Sequence, residues 1–188
     1  MKLKVFLFAM ASVFILNTAI AQTTPAPADE VLNAAIKQAK AEKKNVLVMF
    51  HASWCGWCHK MDASLKDPSI KPFFDKNYVI ADIVVYEHDV AKKSLENPGA
   101  AELLKKYNNA DQGLPTWLVF DQNKNLLADS QMRAEGAELT SKGENVGCPA
   151  AEKEVAYFIS TLKKSSKMTT KELDQVAVVF RKNDIKRN

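Results

Sequence analysis

Residues 46–59 read Val-Leu-Val-Met-Phe-His-Ala-Ser-Trp-Cys-Gly-Trp-Cys-His. The apolar run 46–51 suits a buried central strand, and two cysteines follow where that strand hands over to a helix. The first turn of a helix brings sulfurs at this spacing within disulfide reach. Unpaired helix N–H groups and the helix dipole favour negative charge at position 55, so the Cys55 thiol is expected below its free pKa of ~8.5. Cys58, one turn deeper, is expected to be the less exposed sulfur. Gly56 is expected to permit a tight turn, and Trp54 and Trp57 to supply an apolar platform beside the sulfur.

On residues alone this stretch has other readings. Cys55-Gly56-Trp57-Cys58-His59 is formally C-x-x-C-H, the pattern of c-type haem attachment. Haem would need an apolar pocket and a second axial ligand, for which Met132 and Met168 are the candidates. Zinc is weaker, because no second Cys or His pair stands at ligand spacing, and no metal site is expected. A permanent Cys55–Cys58 disulfide is the structural alternative, although so short a loop stabilises little through chain entropy. His59 is read as a solvated helix residue unless it approaches the sulfurs, His51 as a residue bordering the site, and His88 as without evident company.

Working outward, Val31, Leu32, Ala35, Ile36 and Ala39 recur at helical spacing, with Asp29 as the expected cap and Lys43-Lys44-Asn45 as the end. A helix should start at Cys55 and carry Met61 and Leu65 inward. Asp67-Pro68 should restart it, with Asp67 as cap and Pro68 in the first helical position, turning Ile70, Phe73 and Phe74 toward the core. Tyr78–Tyr86 is a second strand, and 98–107 a short helix around Leu103, Leu104 and Tyr107. Gly113-Leu114-Pro115-Thr116 leads into the strand Trp117–Phe120. Asp121–Asn125 is a turn, and Leu126–Met132 returns as a hairpin partner. Residues 133–147 read as a polar loop, and Pro149 as the start of a helix with Val155, Phe158, Ile159 and Leu162 on one face. Thr169-x-x-Glu172 is a capping box opening a last helix through Leu173, Val176, Ala177 and Phe180. This order implies one α/β domain with a central sheet.

The N-terminus reads as an export signal: Lys2 and Lys4, an apolar Val5–Leu16 interrupted only by Ser12, then Ala19-Ile20-Ala21. The expected organisation is a signal peptide at 1–21, a leader at 22–28, a domain at 29–167 and a helical extension at 168–188. Cleavage would leave a soluble chain with no stable membrane insertion. The formal charge of +4 falls by two with Lys2 and Lys4, and the scattered basic residues argue against a nucleic-acid partner. Three cysteines are too few for a disulfide-stapled scaffold, which frees Cys55 and Cys58 for chemistry.

Trp54-Cys55-Gly56-Trp57-Cys58 after a buried strand, with Leu114-Pro115-Thr116 before a later one, resembles the thioredoxin superfamily over roughly residues 29–165. The resemblance implies a thioredoxin-like fold, a central mixed sheet flanked by helices, here with an extra C-terminal helix. It implies Cys55 as the attacking thiol, Cys58 as the resolving thiol and Pro115 as a cis-proline facing the disulfide. Trp54, Gly56, Trp57, Leu114 and Pro115 would border a protein substrate, with backbone groups at Leu114 free to pair with an extended segment. No cofactor is needed, since the dithiol carries the two electrons. The expected activity is thiol–disulfide exchange with protein substrates in the periplasm or another extracytoplasmic space, in the direction of reduction, with an unidentified envelope partner restoring the dithiol. The alternative is a non-catalytic binding or chaperone module.

Two departures stand out. Met49 occupies the position of the buried aspartate that assists proton transfer in thioredoxins. Asp82 and Glu87 are the candidate substitutes, with ordinary exposed carboxylates the plainer reading of both. The long stretch from Cys58 to Pro115 resembles exported members of the superfamily. Cys148, before the expected helix start at Pro149, is either a third redox thiol of lowered pKa or a buried inert one.

Overall fold

The computed structural model describes residues 24–184. The expected signal peptide, part of the leader and the last four residues lie outside the described residues. The first helix, α1 (Ala28–Glu42), leads into β1 (Asn45–His51), then α2 (Gly56–Leu65), α3 (Lys71–Asn77) and β2 (Tyr78–Val84). A 3-10 turn at Val90–Leu95 precedes α4 (Ala100–Lys106), which is followed by β3 (Thr116–Phe120) and β4 (Leu126–Asp129). A two-stranded ribbon, β5 (Gln131–Met132) with β6 (Glu144–Asn145), leads to α5 (Glu152–Ser165) and α6 (Thr170–Arg181).

The main sheet has the order β2-β1-β3-β4 and is mixed. β1 runs parallel to β2 and antiparallel to β3, which is antiparallel to β4. Side chains alternate across a strand, so β1 feeds two cores. Leu47 and Met49 join Trp117 and Val119 of β3 under α2, α3, α5 and α6, where Met61, Ile70, Phe74, Phe158 and Phe180 are fully buried. Val46, Val48 and Phe50 face the other way, with Leu118 and Phe120, against α1 (Leu32, Ala35, Ala39) and α4 (Leu103, Leu104). Burial on both faces explains why 46–50 is an unbroken apolar run rather than an alternating one. The α6 capping box forms as expected, Thr169 Oγ1 accepting from Glu172 N–H while the Glu172 carboxylate accepts from Thr169 N–H at 2.6 Å.

Several local expectations are corrected. Pro27, not Asp29, stands at the N-cap of α1. Asp29 lies in the first turn, where its charge still complements the helix dipole. Asp67 closes a turn onto Ser69 rather than capping a helix; α3 begins at Lys71, with Pro72 in the early helical position. The return strand after β3 breaks at Ser130, and 133–147 is not all loop, because Glu144–Asn145 pairs with Gln131–Met132. The last core helix starts at Glu152 rather than Pro149; the Glu154 carboxylate accepts from the N–H groups of Ala150 and Ala151.

Candidate functional site

The C-terminal end of β1 delivers the chain to the N-terminus of α2, and the two cysteines straddle that junction. Cys55 is the N-cap of α2 in extended conformation, and its sulfur accepts the Cys58 N–H at 3.1 Å. Cys55 and Cys58 are joined as a disulfide, with Cα atoms 5.2 Å apart. The sulfur that accepts this N–H in the disulfide stands where a thiolate would, so the donor is already in place for the charged form.

The expected difference in exposure is absent, both cysteines being buried. Cys55 is 3% and Cys58 7% exposed, so the deeper position along the chain is not the more covered one. The reason is tertiary. Leu114 packs over the Ala52–Cys55–Cys58 cluster, whereas Cys58 borders a cavity of about 550 Å³ with Met49, His51, Asp82 and Pro115 in its lining. The Leu114–Pro115 peptide is cis. Gly56 is not a turn glycine either: it is the first residue of α2, its φ is not positive, and an added Cβ would meet nothing within 4 Å.

Both tryptophans are solvent-facing at the rim. The Trp54 indole N–H donates to the Tyr86 carbonyl at 2.8 Å, and its ring stacks on His88 with centroids 4.2 Å apart. His88 therefore has a partner that the sequence did not reveal. The Lys60 ammonium lies 4.5 Å from the Trp57 ring centroid, a cation–π contact. His59 Nε2 is 3.2 Å from the Ser53 carbonyl, which makes it more than a free surface residue. His51, half-buried at the end of β1, lines the cavity beside Cys58.

Met49 and Asp82 are paired in register across β1 and β2, so a carboxylate lies one strand away from the expected acid position. Asp82 is at the cavity mouth. Its side chain reaches solvent, yet partial desolvation raises its pKa, opposed by the charge of His51. Glu87 is not the exposed carboxylate expected: it is 1% exposed and accepts from Ser53 N–H at 2.6 Å and Ser53 Oγ at 2.8 Å.

Cys148 is buried and lines a groove of about 460 Å³ with Trp57, Leu114 and Pro115. Of its two readings, the buried thiol holds and the thiol of lowered pKa does not. It lies outside the first turn of α5, four residues before Glu152, and burial pushes the thiol up to about 12. The residue that sequence reasoning missed outright is Asn145. From β6 its Nδ2 donates to the carbonyls of Gln112 at 2.9 Å and Pro115 at 3.2 Å, gripping the loop that carries Leu114. Gly147, at φ +58, completes this approach, because a Cβ there would come within 3.3 Å of the Pro115 carbonyl. An asparagine in a polar segment carries no local signal of such a role.

No curated protein matches the chain. Among solved structures, it is similar to a disulphide isomerase from Xylella fastidiosa Temecula1, at 20% identity over 89% of this chain and 98% of that one, with a TM-score of 0.48. The oxidised C-terminal domain of DsbD from Neisseria meningitidis matches at 20% identity over 73% and 98%, with a TM-score of 0.42. A thioredoxin from Thermus thermophilus matches at 20% identity over 81% and 85%, with a TM-score of 0.41. A thioredoxin-like family model matches residues 28–122, which takes in α1 through β3 and the whole Cys55–Cys58 junction. With just over half its length covered by that family model and its paired sulfurs at the head of α2, the chain belongs to the thioredoxin-like family and is a thiol–disulfide oxidoreductase.

Proposed function

We propose that the protein is an exported reductase of protein disulfides, with Cys55 as nucleophile and Cys58 as resolving thiol. The observation that carries this reading is the position of Cys55: an N-cap sulfur that already accepts a helix N–H, bordered by Leu114. In the first step the Cys55 thiolate attacks one sulfur of a substrate disulfide. That S–S bond breaks, one substrate sulfur leaves as a thiolate, and Cys55 is held in a mixed disulfide. Cys58, deprotonated, then attacks the Cys55 sulfur, forms the intramolecular disulfide and releases the second substrate thiolate. Two electrons pass to the substrate, and an external dithiol must return them. Trp54, Trp57, Leu114 and Pro115 form the apolar rim against which an extended substrate segment would rest. Export rests on the N-terminal pattern of Lys2, Lys4, the apolar run and Ala19-Ile20-Ala21. Among the described residues no helix is long and apolar enough to cross a membrane.

Trapping with Cys58→Ala in the native envelope tests the assignment, because the variant cannot resolve its mixed disulfides. Cys55-linked partners together with a mostly reduced pair in the wild-type protein at steady state are expected. A mostly oxidised pair would reverse the direction. The absence of any Cys55-linked partner would favour a binding or chaperone module. Mass determination of the exported protein should place its first residue at Gln22.

A further inference from the structure

We propose that the Glu87 carboxylate, held against Ser53 two residues before Cys55, shifts the Cys55–Cys58 couple toward the disulfide through its charge. This rests on the oxidoreductase reading above and adds to it a determinant outside the two-cysteine motif. Ser53 is the residue on which the loop 51–55 is held, and it is fixed at every polar atom. Its N–H and Oγ both donate to the Glu87 carboxylate, its carbonyl lies 3.2 Å from His59 Nε2, and Lys92 Nζ reaches its Oγ at 3.1 Å. Glu87 is itself tied down, its own N–H donating to Glu96 Oε1 at 2.6 Å, an oxygen that also accepts from Lys93. The neighbours of Glu87 hold the neighbour of Ser53: Tyr86 accepts the Trp54 indole N–H, and His88 stacks on the Trp54 ring. A three-residue strip, 86–88, thus grips the two residues that immediately precede Cys55.

Tyr86 has φ +58, a left-handed conformation that bulky residues rarely adopt. A residue is kept there only where its surroundings over-determine it, and such strain gathers at functional sites. Here the turn lies two residues beyond Val84, the end of β2, and presents the Tyr86 carbonyl to Trp54 and the Glu87 side chain to Ser53.

The chemical consequence follows from charge. A carboxylate removed from water and accepting from the backbone two residues before Cys55 opposes a second negative charge at that sulfur. The disulfide has no such charge, whereas the reactive dithiol has one, so Glu87 favours the oxidised pair and makes the dithiol a stronger electron donor. Lys92 opposes this, but it is exposed and screened, while Glu87 is 1% exposed. His59 and His88, also at the surface, are screened in the same way.

Equilibration of the purified protein with dithiothreitol at pH 7 tests the inference. One dithiothreitol loses two electrons and closes to its cyclic disulfide as the Cys55–Cys58 bond opens to two thiols. The oxidised and reduced fractions are read by alkylation mass shift. Glu87→Gln is the main variant, since its amide can accept from Ser53 N–H and donate to Ser53 Oγ, retaining the clamp without the charge. We expect its equilibrium constant to move at least threefold toward the dithiol, about 14 mV for a two-electron couple. Glu87→Ala should move the same way and lower the unfolding midpoint as well. If the alanine variant does not fold, the glutamine variant decides alone. A shift below threefold in the glutamine variant, or one toward the disulfide, overturns the inference. A merely structural Glu87 would change the unfolding midpoint and leave this equilibrium in place. The measurement needs no protein client, so a failure of the Cys58→Ala trapping and a failure of this proposal are separate results.

Discussion

Replacing Arg133 by methionine removes one partner of an ion pair that is almost wholly withdrawn from water. The Arg133 Nη1 and Nη2 groups donate to the two oxygens of Asp129 at 2.7 and 2.8 Å, and the side chains are 6% and 0% accessible. Arg133 also donates to three backbone carbonyls, those of Gln131, Leu139 and Ser141, which folds the 133–143 segment onto β5. Methionine keeps much of the apolar stem but leaves a buried carboxylate with Asn109 Nδ2 and Gln131 N–H as its remaining donors. Breaking a buried pair from one side costs about 3–5 kcal/mol. For a domain of this size that is a fall of roughly 10 °C in Tm. The assay is urea unfolding of the oxidised protein at pH 7, followed by tryptophan fluorescence. A second variant, Asp129→Asn on top of Arg133→Met, removes the stranded charge and should recover at least about 1.5 kcal/mol of the loss. A loss below about 1 kcal/mol for Arg133→Met would place the pair with exposed ion pairs and refute the reasoning.

Asn145→Ala removes the grip on the Gln112–Pro115 loop and should cost about 1–2 kcal/mol by the same unfolding assay, with slower reduction of a protein disulfide; unchanged exchange would sink the assignment of Asn145 to that loop. In the reduced native protein, iodoacetamide at pH 8 should label Cys55 and spare Cys148, whose burial pushes its thiol up to about 12; labelling of Cys148 at the rate of a free cysteine would contradict this. Burial likewise raises Tyr78 and Tyr157 to about 12, favouring their neutral forms when folded. The stability they contribute is present below the unfolded tyrosine pKa near 10 and should be lost as pH rises from about 10 to 12. Absorbance titration at 295 nm checks this, and complete tyrosine ionisation by pH 11 without unfolding would refute it.

The fold was largely legible because its decisive signals are local. The unbroken run 46–50 reports a strand buried on both faces, and the four-residue Thr169–Glu172 box reports a helix start. Val155, Phe158 and Leu162 recur at helical spacing because one face of α5 meets the sheet. What escaped is what depends on distant pairing. The β5–β6 ribbon joins two-residue strands across a polar segment, too short for any periodicity to show. Pro149 and Asp67-Pro68 carry helix-start signals, but both precede their helices: the Glu154 carboxylate accepts from Ala150 and Ala151 N–H ahead of Glu152, and Ile70 stands at the N-cap of α3.

By itself, the sequence determined the local setting of the paired cysteines: two thiols at helical spacing, after a strand that must be buried, admit a disulfide at a helix N-terminus. Tertiary structure alone decided how that pair is surrounded. It laid Leu114 over the cysteine cluster, left Cys58 beside the cavity, raised rather than lowered Cys148, and brought Glu87 across 34 residues onto Ser53. The reason is physical. A thiol's intrinsic reactivity follows from residue type and helix position, both written locally. Desolvation and the field of neighbouring charges depend on which segments pack together, and no short stretch of sequence holds that information.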